Sequence, residues 1–158
     1  MMKSLQNPLG RFIVLALAFI LSPLIVVWVV AYGIYTVLLY LLVWISWCRK
    51  GPRVLVVYSR SPHWQDRFES YLIPQLPTSS IVINWSDRKQ WSRYSLRTRV
   101  FNCFLGSFAH TPSVIVFRPF HRARIFRFFE AYKSFRHGNP APVLEMEAAL
   151  LKAVRSDN

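Results

Sequence analysis

The chain has 158 residues, with 20 Lys and Arg against 7 Asp and Glu, a formal charge of +13, and a hydrophobic share of 53%. That length leaves no room for two full domains beside a membrane segment, and two cysteines far apart make neither a disulfide framework nor a cysteine zinc site. The charge excess calls for an anionic partner: acidic lipid headgroups, nucleic acid or a phosphorylated small molecule.

Residues 1–11 form a basic flank carrying Lys3 and Arg11. Residues 12–48 come next, 37 in a row without a charged side chain, and read as membrane, because a charge in hydrocarbon costs several kcal/mol. As one helix the run would reach about 55 Å, longer than the roughly 30 Å hydrocarbon core. Breaks are offered at Ser22-Pro23 and at Ala31-Tyr32-Gly33. Two arrangements suit the run: a hairpin pairing Phe12–Val30 with Ile34–Cys48, or a single span over Leu24–Cys48. Positive flanks on both sides of the run favour the hairpin. Either way the richer cluster, Arg49, Lys50 and Arg53, puts the remainder of the chain on the cytoplasmic side of an inner or plasma-type membrane. Trp44 and Trp47 suit an interfacial aromatic belt. The run far exceeds the h-region of a cleaved signal peptide.

Residues 49–52 form a short joint, with Gly51-Pro52 as its turn. Residues 53–158 are expected to fold as a cytoplasmic α/β domain. Arg53–Tyr58 reads as a strand buried on both faces. Ser61-Pro62 starts a helix, as N-cap and first helical residue, with Trp64, Phe68 and Leu72 on its apolar face. Ile81–Trp85 is the second strand. Ser86 caps a helix that runs to Gly106. Ser113–Phe117 is the third strand. A helix from Ile125 to His137 ends at Gly138, and Asn139-Pro140 opens a last one. Strands alternating with helices predict a three-stranded parallel sheet, half of a doubly wound, Rossmann- or flavodoxin-like fold. So small a sheet has open edges, which a homodimer or a membrane-protein partner would cover.

In a parallel sheet, ligands gather at the carboxyl ends of the strands. Those ends supply Ser59, Arg60, Ser61 and His63, then Asn84, Ser86 and Arg88, then Arg118, His121 and Arg122. Each group precedes a helix start, whose free N–H groups favour anions. Arg118 and Arg122 could fork onto a phosphate or carboxylate. The plainer account is that Ser61 and Ser86 are helix caps and that the cations are solvated or lipid-facing. Enzymatic signatures are missing: no Gly-rich phosphate loop, no G-x-S-x-G elbow, and Asp87 alone among acids at a strand end. Neither a cofactor nor a metal is expected.

Val57-Tyr58-Ser59, His63-Trp64 and Tyr71–Leu76 are similar to the opening strand and helix of Toll/interleukin-1 receptor domains. The similarity covers the 20 residues from Val57 to Leu76. The acidic residue that family carries in the Ser59–Ser61 loop is missing and its catalytic glutamate has no counterpart, so the resemblance implies no activity here. Arg88–Arg136 mixes cations with Trp91, Tyr94, Phe101, Phe120, Phe126 and Tyr132, a composition that also suits single-stranded nucleic acid. Tethering makes lipid the expected anion, at about 1 kcal/mol per nearby cation. The sequence thus reads as a membrane-anchored, non-enzymatic interaction or regulatory module with a basic face. An enzyme or sensor for an anionic small molecule is the first alternative and a nucleic-acid binder the second.

Overall fold

The structure is a computed structural model that describes residues 8–50, 53–106 and 112–155. The chain divides into two compact units, Met1–Tyr40 and Leu41–Asn158.

The first unit is carried by α1, which runs without interruption from Pro8 to Ser46 and so ends inside the second. Its segment Leu17–Ser46 is long and apolar enough to cross a membrane. Large side chains such as Phe19, Leu24 and Trp28 are exposed along it. The expected hairpin is absent: Ala31-Tyr32-Gly33 stays helical and Pro23 lies inside the helix. The reason is local. Pro23 has no N–H for the carbonyl of Phe19, four residues back, and the Ser22 hydroxyl donates to that carbonyl instead, at 3.1 Å. Thr36 likewise donates to the Tyr32 carbonyl at 2.9 Å. Opening a turn at Gly33 would strip backbone groups of partners and gain nothing in return.

The second unit is mixed α/β. A four-stranded sheet has the order β2-β1-β3-β4, with β1 at Arg53–Tyr58, β2 at Ile81–Asn84, β3 at Ser113–Phe117 and β4 at Arg124–Arg127. β1 and β2 are parallel, Val57 opposite Ile83. β3 runs antiparallel to β1, Arg53 opposite Phe117 and Val57 opposite Ser113. β4 is antiparallel to β3, Ser113 opposite Arg127. This corrects the parallel, Rossmann-like expectation: only one of the three pairings is parallel. β4 was expected to be helix. The chain reverses after β3, and Ile125 and Phe126, β-branched and aromatic, pair along its edge.

Successive residues of β1 and β3 face opposite ways, and both faces are covered. Val54, Val56, Tyr58, Val114 and Val116 pack with Phe68, Leu72, Phe128, Tyr132, Val143 and Leu150. These come from three places. One is a helical run of α2 (Gln65–Arg67), a π turn (Phe68–Leu72) and a 3₁₀ turn (Ile73–Gln75). The others are α4 (Phe129–Arg136) and α5 (Ala141–Arg155). On the other face Phe117 meets Phe104 of α3 (Leu96–Phe104) at 5.3 Å and Trp47 at 6.0 Å, and Val43 is buried. The long helix expected after β2 is split into a 3₁₀ segment, Trp85–Gln90, and α3, capped by Ser95.

Candidate functional site

Antiparallel β3 divides the ten residues expected to converge. β1 and β2 end at one edge of the sheet, here the far edge. β3 ends at the opposite edge, beside Arg53 and the last turns of α1. Ser59, Arg60, Ser61, His63, Asn84, Ser86 and Arg88 therefore sit at the far edge. Arg118, His121 and Arg122 sit at the helix-side edge, about 13 Å away at 3.3 Å per strand residue. No single anion pocket gathers them.

The far-edge group is occupied with itself. The Arg60 amide donates to Ser86 Oγ at 3.0 Å, and its guanidinium reaches both oxygens of Asp87 at 2.9 Å. Asn84, not Ser86, is the helix cap, accepting from the Ser86 amide at 2.9 Å. Trp64 donates to Ser59 Oγ at 3.3 Å, and the Ser61 carbonyl accepts from Trp64 and Gln65. Arg88 lies over the Trp85 ring at 5.1 Å, and His63 packs edge-on against Trp64. Tyr58 donates to Glu69 at 2.7 Å; burial first, then that carboxylate, pushes its pKa up to about 12. These contacts stabilise loops and already match the one cation nearest the strand ends with an acid.

The helix-side edge is different. It carries Arg49 and Arg53, then Arg118 and Arg122 after β3, then Arg124, level with Val116 at the start of β4. The last turn of α5 adds Lys152 and Arg155, brought there by Arg118, whose Nη2 donates to the Ala153 carbonyl at 2.7 Å. Arg53 is tied to the Trp47 and Ser79 carbonyls. Arg49, Arg122, Arg124, Lys152 and Arg155 are exposed. Open clefts lie here. One, about 640 Å³, is lined by Ser46, Trp47, Arg49 and Arg53. Another, about 690 Å³, is lined by Arg124, Ile125, Phe126, Ala149, Lys152 and Ala153.

The acids lie elsewhere. Asp66 and Glu69 follow β1, Asp87 follows β2, and Glu130 opens α4, whose preceding residue Phe128 donates to the Pro112 carbonyl at the far end of β3. Glu145 and Glu147 lie in the first half of α5, and Glu147 is buried against Arg67. Among the described residues, the acids thus lie toward the far edge, which also carries exposed Arg88, Lys89 and Arg127, while the helix-side edge carries exposed cations without an acid. Sequence reasoning overlooked Arg124 and Lys152 as members of this surface. For Arg124 the signal was the pair of arginines bracketing Ile125 and Phe126 in an edge strand.

Several rings that suggested nucleic acid are taken up by packing. Trp91 lies on Phe101 at 5.5 Å, and Phe101 and Tyr132 are buried. Tyr94 and Phe120 remain largely exposed. Comparison of the chain with protein-family models, with curated proteins and with solved structures returns no match.

Proposed function

We propose that the chain is a membrane-anchored interaction module, held by α1, whose basic edge lies against an anionic cytoplasmic leaflet. The observation that carries this reading is where the carboxylates lie within the second unit. The edge beside the end of α1 bears exposed Arg49, Arg122, Arg124, Lys152 and Arg155 with no carboxylate among its described residues, whereas the exposed cations of the far edge, Arg60, Arg88, Lys89 and Arg127, share it with acids. A cation near an anionic leaflet gains about 1 kcal/mol, and an acid in the same place would cancel it. The excess of Lys and Arg after the apolar run supports a cytoplasmic position for the domain. Leu17–Ser46, at 30 residues, would reach about 45 Å, so tilt or an interfacial end accommodates the surplus over the hydrocarbon core.

A non-enzymatic role is favoured over catalysis by the far edge, where Arg60 is neutralised by Asp87 and the serines and Asn84 are committed to loop contacts. The test uses the full chain in nanodiscs, cysteine-free but for a spin label at Ala149 in the Arg124–Lys152 cleft. Raising the anionic lipid fraction should broaden the spectrum, and high salt should reverse it. A spectrum indifferent to lipid charge would overturn the lipid-facing reading. Extraction of the chain by carbonate would overturn the anchor itself.

A further inference from the structure

We propose that the β3–β4 turn, Arg118–Ala123, is a second membrane contact that sets the Phe120 ring at the boundary between headgroups and acyl chains; this rests on the reading of α1 as the anchor. Phe120 is 84% exposed, although buried apolar surface surrounds the turn on the sheet side. Its backbone is left-handed, with φ at 58°. That conformation is costly for a bulky residue, on the order of 1 kcal/mol, and here it holds a large ring out in the open. The ring is not aimed at random. It lies 5.3 Å from Trp44, near the end of α1. A Trp at the end of an apolar helix favours the interfacial layer, and a Phe beside it can enter the acyl boundary as the apolar residues of interfacial segments do.

The surroundings of the ring fit an anionic lipid surface. His121 and Arg122 come directly after it and are exposed, and Arg124 begins the next strand. No acidic residue occurs between Pro112 and Phe129. An apolar tip on cationic shoulders combines apolar burial with headgroup attraction, as interfacial amphipathic segments do. A protein partner would want the same ring but has no call on its placement beside Trp44.

The test is fluorescence of an environment-sensitive label on single cysteines in the otherwise cysteine-free full chain, reconstituted in anionic vesicles containing nitroxide lipids. Position 28 reports the anchor (W28C) and position 120 the turn (F120C). Position 94 is a control (Y94C), equally exposed and close in sequence to Trp91, which packs on Trp85 at the far edge. The proposal expects deep-nitroxide quenching at 28, shallow-nitroxide quenching at 120, and several-fold less at 94. Quenching at 28 but not at 120 overturns the turn contact and leaves the anchor standing. Equal quenching at 94 and 120 also overturns it, since the whole domain then lies on the surface. No quenching at 28 overturns both. A second measurement keeps the native ring: a label at Arg122 should lose at least half its shallow quenching when Phe120→Gly, a change the left-handed backbone tolerates. Unchanged quenching there sinks the proposal.

Discussion

Arg67 and Glu147, eighty positions apart in the chain, meet as a forked ion pair: Nε to Oε1 at 2.7 Å and Nη2 to Oε2 at 2.8 Å. The pair pins the helical run after β1 to α5. Arg67 also lies over the rings of Tyr71 and Phe135, at 5.3 and 5.7 Å. The hydrogen-bonded carboxylate raises the guanidinium pKa further, against the opposing effect of burial. Glu147 is only 3% exposed, so removing its partner strands a charge in the core. Arg67→Ala is expected to cost about 3 kcal/mol in the denaturant midpoint of the chain in detergent. Arg67→Lys should fall between, keeping the charge and losing the fork. A loss below about 1 kcal/mol for the alanine change would show that the pair is not formed.

Alkaline pH should weaken the domain through Tyr58. A tyrosine is neutral when protonated, and burial beside Glu69 raises its folded pKa to about 12, above the unfolded value of about 10. Its contribution is therefore complete below pH 10 and is lost as pH climbs toward 12, at most roughly 3 kcal/mol. Tyr132, raised by burial, acts in the same direction. Tyr58→Phe should start less stable by about 1 kcal/mol, for the lost hydrogen bond to Glu69, and then decline less steeply. Identical slopes for the two chains between pH 9 and pH 11 would exclude Tyr58 as a source.

Gly138 ends α4 with φ at 86°, and the Gly138 amide donates to the Phe135 carbonyl at 3.0 Å. A Cβ there would touch nothing within 4 Å. Gly138→Ala should therefore cost about 1 kcal/mol from backbone conformation alone. Gly138→Asn should recover part of it, since asparagine tolerates the left-handed region. Thermal melting of the two variants in detergent checks the order, and an alanine variant as stable as the native chain would refute it.

Three of the four strands were legible: Arg53–Tyr58 and Ser113–Phe117 stand as read, and Ile81–Asn84 is one residue shorter. The direction of β3 was not. Every residue of β3 is buried, so its sequence carries no alternation, and a doubly covered strand looks the same run either way. Ile125 and Phe126 passed for helix because Phe128, Phe129 and Tyr132 continue an apolar helical spacing after them. The site reading failed with the topology, since it assumed that all three strands end at one edge. The cations were legible one by one; their gathering beside the end of α1 required the pairings of β3 with β1 and β4. In the uninterrupted α1, the Ser22 hydroxyl takes up the Phe19 carbonyl that Pro23 cannot reach with an N–H.

The first strand after α1 is flanked on both sides, by β2 and by β3. Tension transmitted through the chain at Arg53 would draw β1 along its own axis. Both hydrogen-bond ladders would then bear load in shear, all rungs together, where an edge strand pulled outward would unzip one rung at a time. The domain is thus strung by a strand paired on both sides, and not by either border of its sheet, β2 or β4.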